Sequence, residues 1–238
     1  MANPGARRTD PDWRRGAALW LAAAAATTVL FFVTPLDMLA ARWFYDPLPP
    51  DHWPLAGVMP WPLLYRAAPW MTAGLLLWGL GALARGIARR NALWKRQGAV
   101  ILLSVLFGPG LLANLVLKDH WGRPRPRDVA GLGGHMRYVP APWPGPGGAS
   151  FPCGHCTVGF LYGVGWWLWR RKRPAWAAAS LATGLVAGGI LGIERMAAGG
   201  HFLSDIVWAG LIDFGVAHAV YHVVIRCSPP ESRSGGST

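Results

Sequence analysis

The chain has 238 residues, 53% of them hydrophobic and 14% charged, with 15 tryptophans and a formal net charge of +12. That balance is too apolar for an ordinary soluble domain. The charge does not indicate nucleic-acid binding, because the basic residues lie between long apolar runs instead of clustering on a polar domain.

Taken in chain order, six segments approach the roughly 20 apolar residues that cross a bilayer core as helix: residues 17–34, 67–84, 98–117, 150–169, 175–193 and 202–225. The expected fold is all-α, a polytopic six-transmembrane-helix bundle over residues 17–225. A basic N-terminal segment, 1–16, precedes it, and a Ser-, Pro- and Gly-rich tail, 226–238, expected to be disordered, follows it. The first segment exceeds the usual apolar core of a cleavable signal and reads as a retained helix. In the third, Gly108-Pro109-Gly110 should bend the helix, and Asn114 needs a hydrogen-bond partner inside the bundle.

Charge orients the bundle. Arg7, Arg8, Arg14 and Arg15, then Arg85, Arg89, Arg90, Lys95 and Arg96, then Arg170, Arg171, Lys172 and Arg173, then Arg226 and Arg233 occupy alternate connections. The positive-inside rule places these, and both termini, in the cytoplasm. The opposite connections, 35–66, 118–149 and 194–201, carry Trp43, Trp53, Trp61, Trp121 and Trp143 as an interfacial belt. In the first of them, Asp37, Asp46 and Asp51 among several prolines suggest an irregular cap or a short surface helix.

Against that bias, Lys118, Arg123, Arg125, Arg127 and Arg137 crowd into one non-cytoplasmic loop. A phosphate site would account for them, since Arg binds phosphate oxygens bidentately and Lys supplies a compact charge. Headgroup anchors that snorkel from helix ends are the simpler alternative. A second feature is Ser150-Phe151-Pro152-Cys153-Gly154-His155, where Ser150 as N-cap and Pro152 in the first turn would start a helix whose free N–H groups attract anions. In the third feature, Arg195 precedes Gly199-Gly200-His201, and Asp205 lies four residues beyond His201 on the same helical face. Asp205 could then accept a hydrogen bond from one ring nitrogen of His201 and leave the other for substrate.

Together these stretches resemble the motifs of the type 2 phosphatidic acid phosphatase superfamily. Its pattern is Lys, six residues, Arg-Pro; then Pro-Ser-Gly-His; then Ser-Arg, five residues, His, three residues, Asp. Here it reads Lys118 to Arg125-Pro126, Pro152-Cys153-Gly154-His155, and Glu194-Arg195 through His201 to Asp205. The resemblance implies an integral membrane hydrolase acting on a phosphomonoester or diphosphate of a lipid headgroup. His201 would be the nucleophile, giving a phosphohistidine, with Asp205 orienting it and His155 protonating the leaving group. Lys118, Arg125 and Arg195 would hold the phosphate, with Cys153 and Gly154 alongside. It implies no metal and no cofactor; the partners are the bilayer and a lipid phosphate, and the active site lies on the non-cytoplasmic side. In a Gram-negative inner membrane, the candidate substrates are lipid A, undecaprenyl diphosphate, phosphatidylglycerol phosphate and phosphatidic acid.

Two residues depart from the pattern. Cys153 replaces a hydroxyl donor with a weak S–H donor, and Glu194 adds negative charge beside an anion site. Arg123 and Arg127, out of register with the motif, read as peripheral charges. Two rival readings remain. Cys153-Gly154-His155-Cys156 matches the active-site sequence of some thiol-disulfide oxidoreductases, but the alternating strands and helices of such a domain do not surround it; a structural or regulatory disulfide fits better. A transporter or scaffold would have no need of Lys118, Arg125, His155, Arg195, His201 and Asp205 together. His218 and His222 are four apart near the cytoplasmic end and read as packed side chains, not metal ligands.

Overall fold

A computed structural model describes residues 11–48, 51–118 and 120–226. The expected all-α class is observed: among the described residues, helices account for every regular element, and the only β pairing is an isolated bridge between Val129 and Met136. The N-terminal residues through 10, with Arg7 and Arg8, and the tail from 227 onward lie outside the described residues.

Among the described residues, five helices are long and apolar enough to cross a membrane. They are α1 (Pro11–Val33), α3 (Trp61–Ala88), α4 (Ala92–Val105) with its π-helical continuation Leu106–Lys118, α7 (Pro174–Ala197) and α8 (Leu203–Arg226). Between α1 and α3 lies the short α2 (Leu36–Arg42), so the first loop, expected to hold an irregular cap or a short surface helix, contains a short helix, and it buries Asp37 and Ala41. The remaining expected span is shorter and broken into α5 (Gly154–Phe160), a 3-10 turn (Leu161–Val164) and α6 (Gly165–Trp169). It falls short because the helix starts only at Gly154, with Cys153 as its N-cap in an extended conformation, so neither Ser150 caps the helix nor Pro152 enters its first turn.

Glycines explain how this short segment sits in the middle of the bundle. A Cβ on Gly159 would press on the backbone of Gly188, and one on Gly184 would press on the backbone of Gly163. Two small-xxx-small pairs thus let α5 and α7 meet backbone to backbone, as membrane helices do where dispersion replaces the hydrophobic drive. In α4, the expected bend at Gly108-Pro109-Gly110 takes the form of π-helix. Pro109 has no N–H for the α ladder, and Asn114 finds its partner by donating from Nδ2 to the Pro109 carbonyl at 2.6 Å.

Charged and aromatic groups mark the two ends. At one end Asp12 pairs with Arg170 and Arg171. His218 stacks on Trp13 with ring centroids 4.8 Å apart and receives the Trp167 indole N–H, and His222 packs edge-on to the Trp13 ring. At the other end, α2, the loop 120–153 and the α7–α8 turn converge, and the motif residues gather there.

Candidate active site

The α7–α8 connection positions His201. Helix α7 closes through Gly199 N–H to the Met196 carbonyl and Gly200 N–H to the Arg195 carbonyl, both 2.9 Å. Gly199 has φ +61, a left-handed helix end that glycine adopts without a Cβ penalty. At Gly200 the restriction is space, because an added Cβ would collide with the Arg195 guanidinium. We therefore expect Gly200→Ala to displace Arg195 and lower kcat/KM for a phosphate ester about ten- to a hundredfold. Steady-state kinetics on the purified variant check this, and a change below twofold would show that Arg195 need not hold that position.

His201 is buried, and its Nδ1 contacts the Ser150 carbonyl. A carbonyl can only accept, so Nδ1 carries the proton and Nε2 keeps the lone pair. This differs from the expected direct bond to Asp205, whose Oδ2 lies 3.8 Å from Nδ1. Asp205 Oδ2 is instead taken up by the Ser150 hydroxyl at 2.6 Å and the Phe202 N–H at 2.7 Å. Ser150 therefore links the pair: its hydroxyl donates to Asp205 and its carbonyl accepts from His201. Burial pushes the His201 imidazole below its ordinary value, and the nearby Arg195 and Lys118 charges add to this while Asp205 opposes it. A neutral ring at pH 7 has its lone pair available for attack.

The remaining motif residues surround this ring. His155, His201, Arg195 and Lys118 lie within electrostatic reach of one another. His155 stacks on Tyr65 of α3 with centroids 4.5 Å apart, and the Arg195 guanidinium lies 5.0 Å from the same Tyr65 ring. Gly154 leaves space beside Lys118, since a Cβ there would stand 3.4 Å from Nζ and would strike the Asn114 amide oxygen. Burial, with the charges of Arg127 and Arg195, lowers the Arg125 guanidinium from its ordinary value, so the third expected cation lies within electrostatic reach of Arg195. Glu194 is buried and its carboxylate pairs with the Arg195 guanidinium at 3.2 Å, so the extra negative charge is spent on a phosphate-binding candidate.

Two expectations need correction. Cys153 is joined to Cys156 by a disulfide, so it has no S–H to donate, and its backbone N–H is committed to the Asp205 carbonyl at 3.3 Å. A Cys153→Ser/Cys156→Ser double variant should keep kcat/KM within about threefold of the parent, because no phosphate donor is removed. A fall to the level of a His201 variant, measured in parallel, would show that the disulfide itself is required. The second correction concerns Arg123, which is fully buried, not peripheral. Its Nη2 meets Asp37 at 2.7 Å, its Nη1 meets Ser204 Oγ at 2.9 Å and also Asp205, and its Nε meets the Val139 carbonyl at 2.8 Å. Burial alone would lower this guanidinium, but the two carboxylates outweigh burial and leave it raised.

Sequence reasoning did not reach Asp37, Ser204, Tyr65 or the dual role of Ser150. Asp37 carried one faint signal, an acidic residue inside an otherwise apolar stretch beside a membrane segment. Tyr65 carried none.

A profile described as the PAP2 superfamily matches residues 98–228. The chain is 37% identical over 147 residues to a lipid A 4'-phosphatase of Francisella tularensis subsp. novicida, covering 56% of this chain and 61% of that one. It is 31% identical over 149 residues to a lipid A 4'-phosphatase of Rhizobium leguminosarum, covering 58% and 60%. A lipid A 4'-phosphatase of Rhizobium etli is 30% identical over 157 residues, covering 60% and 56%. The match thus spans about three fifths of the length of these curated relatives. No solved structure matches the chain.

Proposed function

The chain belongs to the PAP2 superfamily, and on that footing we propose that it is a multi-pass membrane lipid phosphatase that cleaves a headgroup phosphate through His201. The observation that carries this reading is the contact that sets the tautomer of His201: Nδ1–H is held by the Ser150 carbonyl, which leaves the lone pair on Nε2, and the ring lies within electrostatic reach of Lys118, Arg195 and His155.

In the first step Nε2 of His201 attacks phosphorus, and the bond from phosphorus to the lipid oxygen breaks. Lys118, Arg125 and Arg195 hold the equatorial oxygens, where charge-assisted contacts strengthen as the transition state forms. His155 gives its proton to the departing alkoxide. Water then attacks the phosphohistidine, His155 takes a proton from it, and inorganic phosphate leaves while His201 regains its lone pair.

Residues 154–169 complete a six-span bundle in this reading, the short middle segment being held by its glycine contacts with α7. The alternating basic connections then put both termini in the cytoplasm and the site on the other face, in an inner membrane if the host is Gram-negative. The names of the three relatives favour a glycolipid phosphate of the lipid A type over a polyprenyl diphosphate, phosphatidylglycerol phosphate or phosphatidic acid. Phosphate release by the purified protein in detergent from these four lipids tests the choice. We expect kcat/KM on lipid A to exceed the others by about tenfold or more. Preference for another member of the panel would reassign the substrate, and release from none would overturn the phosphatase reading.

A further inference from the structure

We propose that Asp37 and Arg123 are positioning residues that set, through Asp205, the negative charge available to His201, with Asp37 supplying the charge that Arg123 would otherwise cancel. The proposal rests on the functional reading above and adds two residues outside the family's motifs.

The cluster is closed and satisfied. Asp37 Oδ1 accepts the Ser204 N–H at 2.8 Å, and Oδ2 accepts the Ser204 hydroxyl at 2.6 Å, the Tyr138 hydroxyl at 3.0 Å and Arg123 Nη2 at 2.7 Å. Arg123 reaches Asp205 with its other terminal nitrogen, and its guanidinium lies 4.7 Å from the Phe202 ring centroid. Asp37, Arg123, Ser204 and Asp205 are all at most 1% exposed. Water therefore does little to screen their charges.

Arg123 and Asp205 alone would be a neutral pair, and a neutral pair does little for an imidazole that gains positive charge as the bond from Nε2 to phosphorus forms. With Asp37 present, two carboxylates share one guanidinium, and one excess negative charge remains beside His201. A pair that served packing alone would need one carboxylate, and burying a second is costly unless something compensates for it. The hydrogen bonds from Ser204, Tyr138 and Arg123 are that compensation, and the developing imidazolium is what the retained charge acts on. The geometry also explains why α2 docks under the α7–α8 turn, since Asp37 is the residue of α2 that reaches the first turn of α8.

The test is Asp37→Asn, which keeps shape and one acceptor and removes the charge. The groups facing His201 are Asp205 on α8, Arg195 on α7, Lys118 at the end of the π-helix, His155 on α5 and the Ser150 carbonyl, and the substitution touches none of them. We expect kcat to fall about tenfold or more, with KM and inhibition by inorganic phosphate within about twofold. The acid limb of kcat/KM should move down by about one pH unit, because His201 becomes less basic when Arg123 offsets Asp205 alone. An unchanged kcat, or a lower kcat with the limb unmoved, overturns the proposal, since loss of correctly folded protein lowers turnover without moving a limb. If Asn is not tolerated, Asp37→Asn/Arg123→Met restores one excess negative charge. A limb at or above the parent's position then supports the proposal, and a limb below it overturns it. Failure of the phosphatase reading would appear in the parent protein, whereas failure of the positioning role appears only in these variants.

Discussion

His201→Gln is expected to abolish phosphate release, lowering kcat at least about a thousandfold, while the protein still inserts and purifies as the parent does. Glutamine can still donate an amide N–H to the Ser150 carbonyl, so the buried contact between the α7–α8 turn and the loop before α5 is kept. What disappears is a nitrogen lone pair aimed away from that carbonyl, and no other side chain among the described residues is held in the same place with one. Removing the nucleophile of a covalent mechanism leaves only binding and electrostatic stabilisation of a direct attack by water, a small residue of the original acceleration. Thermal unfolding in detergent and phosphate release, measured on the same preparation, check the expectation. Activity within tenfold of the parent would remove His201 from the nucleophile's role.

The second large effect is expected from His155→Gln, and its size should depend on the substrate. A lipid alkoxide is a poor leaving group and needs its proton as the bond breaks, so loss of the general acid should cost about a hundred- to ten-thousandfold on a lipid phosphate. An aryl phosphate such as p-nitrophenyl phosphate departs as a stable anion and should lose far less, by about tenfold at most. His155 is suited to this role by its place on the Tyr65 ring, within reach of Lys118, Arg195 and His201. Parallel kinetics on the two substrates make the comparison. Equal losses on both would show that His155 holds the phosphate and is not the group that protonates the leaving oxygen.

Sequence alone reached the site further than it reached the fold around it. Lys118, Arg125, His155, Arg195, His201 and Asp205 were legible because fixed spacings carried them, and the structure gathers them at one end of the bundle. The helices with long apolar runs were legible for the same kind of reason, since one-dimensional hydropathy suffices to define them. The segment 150–169 was not, because its helix start is set by Cys153 as N-cap and its depth in the bundle depends on glycine contacts with α7.

The misreading of Arg123 has a similar origin. In Arg123-Pro124-Arg125-Pro126-Arg127 three identical side chains alternate with proline, and nothing local says which one turns inward. The answer comes from Asp37, 86 residues earlier in the chain, and from Ser204 and Asp205, 81 and 82 residues later. Charge pairing over such distances has no spacing rule. Ser150 shows the same limit in milder form: its type suggested a helix cap, while its actual partners, Asp205 and His201, lie across the bundle.

The claim that His201 takes the phosphoryl group is tested most directly by trapping it. The purified protein is mixed with lipid A labelled with phosphorus-32 in its phosphate groups, stopped in alkali within milliseconds, and analysed for label on the polypeptide. The mechanism predicts a base-stable, acid-labile phosphoprotein in the parent, mapped to the peptide containing His201 and lacking in His201→Gln. Label on any other residue, or the same label in His201→Gln, would contradict it.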